Sequence, residues 1–194
     1  MRYDLPLVVE LDGKDFKITN KCDYRVILDI FEVFNDEEMS LAERQRIALY
    51  IFYKDVDEDI SQIKDLKQAL IEMYKIINMQ SEFDENVENQ KHEENRPKLM
   101  DWSFDFNLIA PAVSKVLGYD VRTPDKLTHW WTFLGAYQEI GECVFANVVS
   151  IRNKIKKGKK LEKHEREFYE QNRKIIDLPV KLTKSDEDWL SSDE

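Results

Sequence analysis

The acidic run Asp55-Val-Asp57-Glu-Asp59 has the spacing with which a calcium loop begins, carboxylates at alternate positions around one hard cation. Such a loop also needs glycine at its sixth position, for the turn, and a bidentate glutamate at its twelfth. Ile60 and Leu66 stand there, so the run reads as a polar connection between helices. His92, His129 and His164 fall in three separate segments, and none has a cysteine or histidine at metal-ligand spacing. His129, beside Trp130 and Trp131, has the apolar setting, where hydrogen-bonded packing is favoured over a ligand or general-base role. Cys22 and Cys143 belong to no C-x-x-C pair and read as two reduced, packed thiols. The sequence contains no nucleophile elbow, phosphate loop, zinc-protease helix or dinucleotide-binding glycine motif. No catalytic residue, cofactor or metal ligand is assigned, and the expectation is a protein that binds rather than catalyses.

Charge says more. The 194 residues carry 39 acids against 29 lysines and arginines, a net −10 that opposes general binding to phosphate backbones. The distribution is uneven. Arg152 to Lys163 holds seven basic residues and one acid, Gln80 to Glu94 six acids and one lysine, and the last eleven residues five acids and one lysine. The basic stretch surrounds Gly158 at a helix end, where cations are favoured by the macrodipole. No aromatic residue is interleaved for stacking on bases. Its readings are a solvated helix end, a contact for an acidic protein surface (such as another copy's linker or tail), and, least favoured, a nucleic-acid contact. Arg152, Lys156 and Lys157 are its candidate binding residues.

The other candidate surface is aromatic. In Trp130-Trp131-Thr-Phe133, followed by Tyr137, adjacent helical positions lie about 100° apart, so both tryptophans cannot share one narrow face. One is expected in the core and the other against a second element or a partner, since tryptophan and tyrosine concentrate in binding hot spots. Trp189, in the acidic C-terminal stretch, is a further docking candidate.

The elements that must position these residues are mainly helical. Leu5, Leu7, Val9 and Leu11 alternate, Asp12-Gly13 supplies a turn, and Phe16 and Ile18 resume the alternation: a short N-terminal β-hairpin. Helices are predicted from about Lys21 to Phe34, from Ser40 through Tyr53 with a Ser40/Glu43 capping box, and over Ile63 to Ile77. Residues 80–98 read as an acidic linker between an N-terminal part, 1–79, and a helical half, 99–176. In that half a helix is predicted over Phe104 to Leu117, kinked or split by Pro111 and stopped at Gly118. Another is predicted to open at Thr123-Pro124 and carry Leu127, Trp130, Trp131, Leu134 and Tyr137. Glu142 to Lys157 and a charged helix, Leu161 to Ile176, complete the set, with an acidic tail over 177–194. No apolar run approaches the ~20 residues a membrane span needs, and no secretory signal opens the chain, so an intracellular protein is expected.

Four segments carry a resemblance: Phe104-Asp105-Phe-Asn-Leu108-Ile109-Ala110, Gly118-Tyr119-Asp120-Val121, Leu127-Thr-His129-Trp130-Trp131-Thr-Phe133-Leu134, and Val149-Ser-Ile151-Arg152. With the hairpin and the Phe52-Tyr53 helix ending, they resemble the bacteriophage gene-product-fifteen family of long-tailed phages and prophages of Gram-positive bacteria. The Leu-x-His-Trp-Trp-x-Phe segment is the most specific part. The resemblance implies a tail-assembly chaperone that works in the host cytoplasm. It would coat the long helical tape-measure protein and leave as tail-tube protein polymerises. An acidic linker between two helical halves would permit them to reorient on that partner. The basic end and acidic tails suggest self-association, copies joining head to tail. The alternatives are a minor tail or connector component kept in the virion, and a small nucleic-acid-associated regulator.

Overall fold

The computed structural model describes residues 4–54, 60–79 and 98–179. The Asp55–Asp59 run, most of the acidic linker, and the tail from residue 180, with Trp189, lie outside the described residues. The fold is mainly α, with a short N-terminal hairpin and eight α-helices among the described residues.

Strands β1 (Val8–Leu11) and β2 (Lys14–Lys17) pair antiparallel, Val8 opposite Lys17 and Leu11 opposite Lys14. Asp12 and Gly13 both have positive φ, 52° and 73°, the primed turn geometry that suits strand twist. Val9, Leu11, Phe16 and Ile18 are buried, while Leu5 and Leu7 stay exposed. The first helix starts later than predicted. Asn20, Lys21 and Cys22 have φ of 48°, 56° and 58°, a left-handed corner that no right-handed helix can include. Asp23 then caps α1 (Tyr24–Asn35) by accepting from the Arg25 N–H.

The capping box of α2 (Leu41–Tyr53) is present as predicted. Ser40 Oγ accepts from the Glu43 N–H at 3.3 Å, and the Glu43 carboxylate accepts from the Ser40 N–H at 2.9 Å. Helix α3 (Leu66–Ile77) is capped by Asp65, and its buried face is Ala69, Met73, Ile76 and Ile77, leaving Leu66 exposed. Helix α4 (Trp102–Leu117) contains Pro111 yet continues as one element to Gly118, where φ of 75° ends it. The predicted split does not occur. Pro111 and Asn107 lie on the exposed side, so the Asn107 carbonyl that loses its helical donor faces solvent.

Thr123-Pro124 opens no helix. Residues 121–127 form turns, with Leu127 exposed, and α5 (Trp130–Gln138) begins only after His129. Gly141 (φ 59°) separates it from α6 (Val144–Lys156). The predicted charged helix is two pieces, α7 (Lys163–Gln171) and α8 (Arg173–Ile176), broken at Asn172. No helix among the described residues is long and apolar enough to cross a membrane.

One apolar cluster runs from Val9 through Phe52, Met73, Ile109, Trp130 and Phe133 to Phe145. It therefore draws on both sides of the linker. Reorienting one half against the other, which an acidic linker would permit, would require opening this core.

Candidate functional site

The Leu-x-His-Trp-Trp-x-Phe segment builds a junction rather than a surface. Asp23, buried at the head of α1, accepts from the Thr128 N–H with one carboxylate oxygen (2.6 Å) and from Arg25 with the other. The backbone completes the seam: the Tyr24 N–H donates to the Thr128 carbonyl (2.9 Å), and the Trp130 N–H to the Cys22 carbonyl (2.7 Å). The left-handed corner at 20–22 is what turns the Cys22 carbonyl into this position. Arg25 then donates to the Val121 and Thr123 carbonyls at 2.8 and 2.9 Å, and Tyr24 Oη to Val121 at 3.1 Å. At Thr123-Pro124 no helix starts: the Thr123 hydroxyl donates to the Asp120 carbonyl at 2.8 Å, and the Thr123 carbonyl, which would accept the first helical bond, accepts from Arg25.

Both tryptophans reach the same target from different sides. Trp130 Nε1 donates to the Ile77 carbonyl (2.8 Å) and Trp131 Nε1 to the Ile76 carbonyl (2.7 Å) at the end of α3; the Ile76 carbonyl also accepts from the Met79 N–H at 3.2 Å. Trp130 is 2% exposed and packs edge-on against Phe31 and Trp102, while Trp131 is half-buried. Phe133 is fully buried and stacks on Tyr24 with centroids 4.3 Å apart. Tyr137 turns inward, its hydroxyl donating to Met100 Sδ. Trp130 and Phe133, expected as candidate partner contacts, are thus core residues, because each lies on the α5 face that covers α1 and α4.

His129 caps α5. Its Nδ1 accepts from the Trp131 N–H at 3.0 Å, which places the ring proton on Nε2, donating to the Pro6 carbonyl at 3.0 Å. Burial pulls its pKa below the ordinary histidine value, outweighing the Pro6 contact and Asp23, which push upward. Protonation would abolish the cap acceptor as well. The stabilisation is present above the unfolded-state pKa of about 6.5 and is lost as pH falls through the lower folded value. His129→Asn, which keeps a cap acceptor, is expected to flatten the loss of stability below about pH 6.5 relative to wild type, read by urea unfolding across pH 4.5–7.5.

Arg152 was expected on a basic surface and is buried instead, at 5% exposure. It lies four residues beyond buried Val148, one α-helical turn, so it faces inward. Its Nη1 and Nη2 pair with both oxygens of Asp105 at 2.7 and 2.8 Å, and its remaining N–H groups reach the Leu99, Ile175 and Ile176 carbonyls. All five donors are used. Lys154 is engaged too, by Glu165 at 2.5 Å. Lys156, Lys157, Lys159 and Lys160 remain exposed around Gly158.

Sequence reasoning missed the concave surface between α1 and α4, a groove of about 450 Å³. Half-buried Leu28, Trp102 and Phe106 form its apolar wall, with Asp29 and Glu32 at the rim; Arg25 and Arg122 line it too, paired with Asp23 and Asp120. Burial and the Glu32 carboxylate push the Asp29 carboxyl up from its ordinary pKa, a strain that an incoming cation would relieve. A signal existed in the spacing of Leu28, Asp29 and Glu32, but nothing local shows that Trp102 and Phe106 lie opposite.

A hairpin sealed onto a helical body, with its motif residues spent on internal junctions, defines a small helical protein that presents grooves and charged ends. The chain belongs to the bacteriophage Gp15 protein family, whose model matches residues 1–178. It is a phage protein, as the motif resemblance implied. Comparison with curated proteins and with solved structures finds no significant match.

Proposed function

We propose that this chain is a non-catalytic tail-assembly chaperone that binds the tape-measure protein in the host cytoplasm and departs before the tail is complete. Family membership supports a role in the phage, and the α1–α4 groove carries the binding mode. Its wall of Leu28, Trp102 and Phe106, with Asp29 and Glu32 at the rim and the lining Arg25 and Arg122 already paired, fits an amphipathic helix whose apolar stripe is flanked by lysine or arginine. The net charge of −10 would keep an apolar cargo dispersed. With Trp130, Phe133 and Arg152 buried, the groove and half-buried Trp131 replace them as the cargo-facing surface.

Co-expression with helical segments of the tape-measure protein is expected to bring those segments into the soluble fraction. Asp29→Lys with Glu32→Lys, both exposed, should weaken the complex roughly three- to tenfold while leaving the unfolding midpoint nearly unchanged. Cargo that stays insoluble beside wild type would remove the chaperone reading. Stoichiometric recovery of the chain from finished virions by mass spectrometry would assign it instead to the tail or connector structure.

A further inference from the structure

The chain leaves the described region beside its own basic end. Leu178 shares a cavity of about 230 Å³ with Ile155 and Lys156, at the C-terminal end of α6. Ile155 is 41% exposed there; Lys98, Lys156 and the Asp177 carboxylate share the lining, and the exposed cations Lys157, Lys159 and Lys160 follow directly in the chain. That volume is below the roughly 300–1,000 Å³ of a small-molecule site and suits a single large side chain. Beyond Lys181 and Lys184 the sequence that follows turns acidic and contains one such side chain: Asp186-Glu187-Asp188-Trp189-Leu190.

We propose that residues 180–194 dock on this end of the same molecule, Trp189 in the cavity and Asp186, Glu187 and Asp188 against the lysines. Reach is no obstacle: Trp189 lies ten positions beyond Pro179, a span of up to ~33 Å, whereas the cavity adjoins Leu178 itself. Attachment favours the chain's own segment over another copy's, because a short tether gives an effective concentration on the order of millimolar. A lysine ammonium over the indole face adds a cation–π contact to the ion pairs. The basic surface is then covered at rest and is uncovered by an acidic competitor or by salt. This inference is independent of the chaperone reading.

Lysine acetylation of the full chain, followed by mass spectrometry, tests it without any partner. Lys156 and Lys157 are expected to react about fivefold more slowly than exposed Lys115 in dilute wild-type protein. Asp186→Asn/Glu187→Gln/Asp188→Asn should bring them to the Lys115 rate, and Trp189→Ala should raise both rates. Salt of about 1 M, where screening acts within ~3 Å, should do the same to wild type. Equal rates in wild type and the triple variant would overturn the proposal. So would protection that appears only as protein concentration rises, which would assign the contact to a second copy.

Discussion

Arg152→Ala is expected to lower folding stability by about 3–5 kcal/mol, a large part of the 5–15 kcal/mol that holds a typical domain together. The substitution strands the Asp105 carboxylate at 0% exposure and leaves the Leu99, Ile175 and Ile176 carbonyls without the guanidinium. An uncompensated buried charge costs more than the intact pair gains. Asp105→Ala should therefore cost less, since Arg152 keeps its three carbonyl acceptors. Arg152→Lys should rescue little, because one ammonium with three donors cannot reproduce a planar fork that makes five bonds. Chemical unfolding of the three variants would give the order directly. An Arg152→Ala cost below about 1 kcal/mol would show that the pair is not sealed from water as its geometry requires.

Trp130→Ala is expected to cost about 3–5 kcal/mol by opening a cavity among Phe31, Trp102 and Phe133. Trp130→Phe separates packing from hydrogen bonding. It keeps most of the ring stacking but orphans the Ile77 carbonyl, for about 1–3 kcal/mol. Trp131→Phe loses the equivalent bond to Ile76, but at a half-buried site where water can replace the indole N–H. Its cost should be smaller. Equal losses at the two positions in denaturant titrations would contradict the assignment of Trp130 to the core and Trp131 to its margin.

The two arginine and tryptophan sites also show what was readable beforehand. Along the chain, Arg152 belongs with the lysines that follow it. Counted around the helix, it falls one turn after Val148, on the apolar face. Asp105 likewise precedes Ile109 and Val113 at helical spacing, on the face that packs inward. A charged residue on each of two apolar stripes was a legible sign of a buried pair. Nothing local said that the two would meet, since 47 residues separate them. The helix expected at Thr123-Pro124 failed for a related reason. Its local capping signal is sound, but Arg25 and Tyr24 claim carbonyls of that loop from across the fold.

The sequence by itself determined the hairpin, the helical class, the capping box at Ser40, the stops at Gly118, Gly141 and Gly158, and the family. Each rests on periodicity, on a backbone conformation tied to one residue type, or on a motif, and all are local. Tertiary structure alone decided which side of each helix is inside. It turned Trp130, Phe133 and Arg152 from candidate binding residues into core, left Trp131 at the margin, and opened the α1–α4 groove. Those outcomes depend on long-range partners, because burial is a property of the surface placed opposite a residue and not of the residue.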